Sequence, residues 1–573
     1  MAQSFPISEM PGVAGAVYQV GSKVIVKDFA SRIRSKRVYQ GILGTNDHAA
    51  LQYAQDNIVG DIYVGPGTYY WPATQVLRLK NKTKGSGIDK TIFKTANGLL
   101  NDCRTLIEME SYTGLSHVTI DGNQANNDNN WATFAETPFQ QGIYTSTRNT
   151  NPGTVPAYSI GCCVHDVKIK DTIKTNLVIA GYRHNIYNLF LDTSLWDHAL
   201  YFSAAYGNRV KNIDIQGYHT NEIVCYGTDS AYPANQNLLE DVYFHDLVKH
   251  PTVARQVTNI ISVRSTAGTG KDNVIRNIRM DIPDLTAGGY TQPILYASHQ
   301  PGTILDGLQA EVATSNNTCL MFFSGVYDGN PNYQFVRNVD IELAASGIST
   351  YAYFLWATEV QNLWLENIKV SDNAADSYWR GLRVAPTHIS NTTYLKNVVF
   401  GCPNRLAVFI PSNPYTVTVY GDTEIKPGRT WADAHAISLG PGVRVGIMPG
   451  EIRAYKGSIG TLTQDAYNSL DCPFSKDVAL LALDIYVSTG ATATSPNIDC
   501  GIGASAEADY TNLFDDLPGE TIGLYNSKIA TPGTQTQPVL WQSGAGSRYL
   551  NMSIKDAAAT GMVATYVATV MGL

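Results

Sequence analysis

Residues 188–227 read NLFLDTSLWDHALYFSAAYGNRVKNIDIQGYHTNEIVCYG, and one pattern occurs in them twice. Asn188-LFLDTS and Asn212-IDIQGY each open on Asn, run apolar–any–apolar, and close on a small or acidic residue. Each is followed at a similar offset by a second apolar run, HALYFSA and then EIVCYG. Working outward, the first motif recurs as His117-VTIDGN, Asp166-VKIKDT, Asp241-VYFHDL, Asn277-IRMDIP and Gly307-LQAEVA. It continues as Asn338-VDIELA, Asn367-IKVSDN and Asn397-VVFGCP. Its first apolar positions are 118, 167, 189, 213, 242, 278, 308, 339, 368 and 398; after one long insertion the steps are 22 to 36 residues. The second run recurs as NLVIAG, NIISVRS, PILYAS, CLMFFS, YFLWA, GLRVAP and LAVFIP.

A fixed order of strand, turn, strand, turn at the period of one coil marks a β-solenoid. Alternation sends one apolar column inward on each strand and leaves the intervening residues outward. A β-propeller needs blades of roughly 40–50 residues and four antiparallel strands, more than these repeats supply. The expected fold class is therefore all-β, a parallel β-helix. The repeats stop near Pro411-Ser-Asn-Pro414. Gly/Pro-rich sequence follows, then longer alternating strands from DVALLALDIYVSTG to the final LNMSIKDAAATGMVATYVATVMGL, the pattern of an antiparallel β-sandwich. The boundaries read as 1–40 neck or connector, 41–413 β-helix, 414–465 connecting segment and 466–573 sandwich.

Charged residues make up only 16% of the 573, beside 49 Gly and 34 Tyr; that balance suits short strands and tight turns better than long amphipathic helices. A net charge of −8 argues against nucleic acid as partner, because phosphate binding needs a basic face. Sugars, held by hydrogen bonds and ring stacking, remain compatible. Eight cysteines show no CxxC spacing and sit mostly in apolar runs, so they read as buried free thiols, and neither a metal nor another cofactor is expected. The start, MAQSFPISEMPGVAG, has no basic n-region followed by an apolar h-region, and no run approaches a membrane span. The expectation is a soluble product of a reducing cytoplasm, without membrane partners, that acts outside a cell after lysis.

Before the repeats, Thr45-Asn46-Asp47 precedes HAALQYAQDN, a short amphipathic helix, and then DIYVGPGTYYW. This segment resembles the start of pectate-lyase-like right-handed β-helices, where a helix caps the open end of the core. Neck, Lys27-Asp28-Phe29, capping helix, long β-helix and small carboxy-terminal sandwich together resemble bacteriophage tailspikes. The resemblance implies a homotrimer in the virion tail, attached to tail or baseplate proteins. It also implies binding of capsular polysaccharide or O-antigen on the host surface. It carries over no catalytic residue, because that family has no invariant catalytic motif.

Glycosidic hydrolysis needs two carboxyl groups flanking the bond, and outward residues on successive coils stack about 4.8 Å apart. The densest constellation lies between Asp192 and Asp229. Aligning Ala199 with Ile223 sets His198 level with Glu222 and makes Asp197 its diagonal neighbour. The candidate catalytic residues are thus Asp197, Glu222, Asp192 and His198. Trp196, Tyr201, Tyr226, Arg264 and Asp229 are candidate substrate-binding residues. Asp192 occupies the same turn slot as Asp121 and Asp281, where aspartate also serves the local backbone. Glu240, Asp241, His245 and Asp246 form a second cluster, with Asp241 in the slot held elsewhere by Asn. Tyr351, Tyr353, Trp356 and Trp364 read as partly core and partly subunit interface, and Asn123–Trp131 as a groove wall or surface loop. The leading expectation is an endo-acting glycoside hydrolase. The alternatives are a polysaccharide lyase, with His198 as base beside Arg264, and an adhesin that binds without cleaving.

Overall fold

The computed structural model describes residues 23–25, 37–40 and 47–573, apart from connecting segments of which the longest are 128–140, 148–157, 249–258, 283–293, 344–351, 422–436, 505–512 and 527–538. The chain divides into two compact units. One holds Met1–Asn391, Lys396–Ser412 and Thr423–Ser438; the other holds Thr392–Leu395, Asn413–Asp422 and Leu439–Leu573.

In the first unit, Gly114–Asp121, Cys163–Thr172, Asn185–Ser194, Arg209–Gly217 and Leu238–Leu247 pair in parallel, each with the next. Val274–Ile282, Thr303–Val312, Tyr333–Leu343 and Asn362–Asp372 continue the same ladder. The strands that follow them in the chain form a second parallel ladder through Thr175–Tyr182, Leu200–Tyr206, Val224–Tyr226, Ile261–Arg264, Leu295–Ser298, Cys319–Ser324 and Ala352–Thr358. Two parallel ladders threaded alternately by one chain make a parallel β-helix. Its core is a set of columns in register, such as Val118, Val167, Leu189, Ile213, Val242, Ile278, Leu308, Val339 and Ile368, all buried.

The first residue of the repeated motif lies inside a longer strand, not ahead of it. His117, Asp166, Asn188, Asn212, Asp241, Asn277, Gly307, Asn338, Asn367 and Asn397 all have positive φ, from 51 to 92°. One left-handed residue resets the alternation: in Asn185–Ser194, Ile186 and Leu189 both point inward across Asn188. Asn and Asp tolerate that conformation better than other side chains. Their amides then stack coil upon coil: Asn188 Nδ2 donates to Asp166 Oδ1 (3.1 Å) and Asn212 Nδ2 to Asn188 Oδ1 (2.7 Å). Farther along, Asn367 donates to Asn338 and Asn397 to Asn367.

The helix His48–Asn57 covers one edge of this unit. Gln52 Oε1 accepts the Arg78 N–H, and Gln55 Oε1 accepts those of Lys80 and Asn81. Side-chain amides thus occupy strand-edge groups that would otherwise invite another chain. Asp47, just before the helix, is fully buried and accepts the Tyr70 N–H at 2.7 Å. Burial pushes its carboxyl up to about 7, against the lowering effect of that hydrogen bond. The folded pKa exceeds the unfolded one, so the stability contributed by the neutral carboxyl is fully present below about pH 4. It is lost as pH rises through about 7. The thermal midpoint should fall between pH 5 and pH 8, and Asp47→Asn should flatten that dependence. An unchanged slope in the variant would refute the assignment.

In the second unit, Ile452–Leu462 and Val478–Thr489 flank Met562–Gly572 in one antiparallel sheet. Asn468–Asp471, Tyr549–Lys555 and Asn497–Gly503 form another. Phe474, Leu480, Leu483, Trp541, Leu550, Met552 and Val570 are buried in this sandwich. Its pairing takes in Ile452–Leu462, inside the 414–465 segment read as a connector, because that strand takes one side of the terminal strand. Among the described cysteines, 162, 225, 319, 472 and 500 are buried free thiols and Cys163 is half-buried.

Candidate active site

The second ladder sets the site. Leu200 pairs with Val224 and Tyr201 with Cys225, and the Ala199 N–H donates to the Ile223 carbonyl at 2.9 Å. That register brings His198 beside Glu222. His198 Nδ1 lies 2.6 Å from the Glu222 carbonyl oxygen and 3.8 Å from its Oε2. Nε2 lies 3.0 Å from Asp197 Oδ1. Both ring nitrogens thus face oxygen atoms, an arrangement that favours the doubly protonated ring. Burial alone would lower its pKa, but the charge and hydrogen bond of Asp197, then the charge and carbonyl of Glu222, raise it above the ordinary histidine value. The Tyr201 ring packs against it at 5.0 Å.

Neighbouring polar groups hold this arrangement. Ser194 Oγ donates to the Asp197 carbonyl at 3.0 Å and sits 2.7 Å from His219 Nδ1. Burial drives the His219 imidazole down to about 4. On the following coil the Asn259 carbonyl accepts the Ile223 N–H, and Ser262 pairs with Cys225. Among the described residues, the buried Asn259 Oδ1 and Ser262 Oγ have no hydrogen-bond partner. Neither residue stands out in the sequence; only the register reveals them.

The other expected residues divide sharply. Asp192 lies in the first ladder, where its carboxylate accepts Thr193 Oγ1 (3.0 Å) and Gln216 Nε2 (3.2 Å), a local structural bond set. Tyr226 points inward, fully buried and stacked on Phe202 at 4.2 Å. It offers no face to a sugar: Tyr201 pairs with Cys225, so Tyr226 falls on the opposite side of the strand. Glu222 is only 1% exposed and Asp197 15%, so the expected open outer face is largely covered. Trp196 and Asp229 lie outside the described residues, as does the side chain of Arg264, whose backbone pairs with Ser298.

In the second cluster, Asp241 belongs to the left-handed column and accepts Asn277 Nδ2 at 3.1 Å. His245 lies 2.8 Å from both Asp246 and Asp214. Asp214, one coil away, was not anticipated; stacking the motifs in register supplies the signal. Trp356 carries the Arg383 guanidinium 4.1 Å from its ring, and Trp364 stacks on Phe335. Tyr351 lies outside the described residues. Of the Asn123–Trp131 insertion, Gln124 accepts the Tyr218 hydroxyl at 2.7 Å, while 128–131 are not described.

No family model matches the chain, and no curated protein is similar to it. Among solved structures it is similar to a tailspike mutant of E. coli bacteriophage HK620 in complex with a pentasaccharide. That match has 8% identity and a TM-score of 0.43, and covers 92% of this chain and 91% of that one. The Pseudomonas phage phi297 tailspike gp61 gives 12% and 0.39, over 100% and 97% of the two chains. The A-module of the Azotobacter vinelandii mannuronan C-5 epimerase AlgE6 gives 13% and 0.43, over 70% and 94%. Phage tailspikes and glycan-active β-helices are the neighbours. No residue correspondence follows at these values.

Proposed function

We propose that the chain is a phage tailspike that binds and hydrolyses a bacterial surface polysaccharide, capsule or O-antigen, with Asp197 and Glu222 as its carboxyl pair. The contact of His198 with both acidic residues carries this reading. Asp197, the more exposed of the two, is the carboxyl assigned to act as base or nucleophile. Glu222 is the second carboxyl, kept on the far side of the ring. An imidazole interposed between them supports the wider spacing of inverting enzymes, roughly 6.5–9.5 Å, over the roughly 5–5.5 Å of retaining ones. A β-elimination base needs a free lone pair, and both His198 nitrogens are engaged, which argues against the lyase reading.

The near-complete burial of Glu222 favours one competitor, an adhesin that holds the glycan without cutting it. A library of bacterial polysaccharides screened for binding and for new reducing ends separates the two. Binding with new reducing ends supports hydrolysis; binding without them supports the adhesin; ultraviolet-absorbing unsaturated ends would revive the lyase. The same proposal includes a homotrimer acting at the host surface. Light scattering at micromolar concentration should give three times the chain mass, and a monomer would overturn that assignment.

A further inference from the structure

A second group of chemically competent side chains lies away from this site, on the outer face of the first ladder. His117 and Asp166 occupy consecutive positions of the left-handed column, and His165 adjoins Asp166. His165 Nδ1 is 2.7 Å from Asp166 Oδ2, and His117 Nε2 is 3.8 Å from the same oxygen. The two imidazoles meet edge to face at 5.6 Å. We propose that His117, His165 and Asp166 form a surface site for a divalent transition metal of the zinc class, a His₂–carboxylate set with its remaining positions open to water.

Three observations carry the assignment. Ligand bonds of about 2.0–2.1 Å put neighbouring ligand atoms roughly 2.9–3.4 Å apart in octahedral or tetrahedral geometry. The observed 2.7 and 3.8 Å bracket that range for the two carboxylate contacts, and the ligand atoms of all three residues lie within 4.8 Å of one another. The surroundings orient the ligands: Asn188 Nδ2 holds Asp166 Oδ1 at 3.1 Å, which leaves Oδ2 for the imidazoles. Tyr187 stacks flat on His165 at 4.8 Å and 2°. Such supporting contacts fix a metal ligand in place. Finally, among the described residues neither nitrogen of His117 has a hydrogen-bond partner, and its Nδ1 is buried, so the ring is free to present a lone pair. The cluster of His198, Glu222 and Cys225 also gathers ligand atoms within 4.8 Å, but both nitrogens of its histidine already face acceptors.

The two imidazoles select zinc, nickel or copper over magnesium or calcium. The ion would staple consecutive coils, because it binds the folded chain and not the unfolded one. Isothermal titration of the full chain, without a histidine tag, with zinc chloride should give one site per chain and a zinc-dependent rise in thermal midpoint. Magnesium should produce neither. His117→Asn keeps the left-handed backbone with a residue used at six other positions of the column, and His165→Phe keeps the stacking on Tyr187. Each should weaken zinc at least about 10-fold while the midpoint without metal stays near that of the parent. Absence of zinc binding in the parent, or equal binding in the two variants, overturns the proposal.

Discussion

Asp197→Asn should lower depolymerase turnover by roughly 10²–10⁴-fold while glycan binding stays close to that of the parent. The amide preserves the shape of the carboxylate and removes its charge, so it isolates proton transfer or nucleophilic attack from recognition. Glu222→Gln should behave alike, because either missing carboxyl leaves the reaction without half of its acid–base pair. The pH profile adds a readout that packing damage would not reproduce. Asp197 is the largest influence raising the His198 pKa against the lowering effect of burial. An activity that depends on the His198 proton is therefore retained at low pH and lost as pH rises through a value above the ordinary histidine range. In residual activity of Asp197→Asn, that alkaline limb should move to lower pH. If both amide variants digest polysaccharide at parental rates, the site is misplaced. Asp214, His245 and Asp246, joined by two 2.8 Å contacts, then become the next group to substitute.

Asn237→Ala should be among the most damaging single changes in the β-helix, at roughly 3–4 kcal/mol. Asn208, Asn237 and Asn273 form a buried ladder. Asn237 Oδ1 accepts the Asn208 N–H (3.1 Å) and Asn208 Nδ2 (2.9 Å). Its own Nδ2 donates to the Ala205 carbonyl (2.9 Å) and to Asn273 Oδ1 (3.1 Å). Alanine strands these partners where water cannot replace the lost bonds, and each orphaned buried group costs about 1–3 kcal/mol. Asn367→Ala is the contrasting case. It removes comparable amide contacts from an exposed column where water substitutes, leaving mainly about 1 kcal/mol of left-handed backbone strain. Thermal midpoints and unfolding rates of the two variants should differ in that order. Equal losses would mean that burial does not set the strength of these ladders.

The parallel coil and its register follow from local pattern. Val118, Val167, Leu189 and Ile213 recur at the same place in each repeat, and a strand that slipped by one residue would turn its apolar set outward. For that reason the alignment of Ala199 with Ile223, and with it the meeting of His198 and Glu222, could be read before any coordinates. The preference for Asn at the head of each motif was equally visible, but its cause was not: a positive φ is a property of the folded backbone. The same limit explains the site. Residue type makes Glu222 and Tyr226 look like groups for an open groove. How far each is exposed depends on what packs over it, and whether Tyr226 points in or out depends on its parity with Phe202 one coil earlier. Asp214 joins His245, and Asp166 joins His117, across intervals of 31 and 49 residues. A periodic apolar column is encoded within each repeat. The burial, charge state and partners of a polar side chain arise only when separate coils are stacked about 4.8 Å apart.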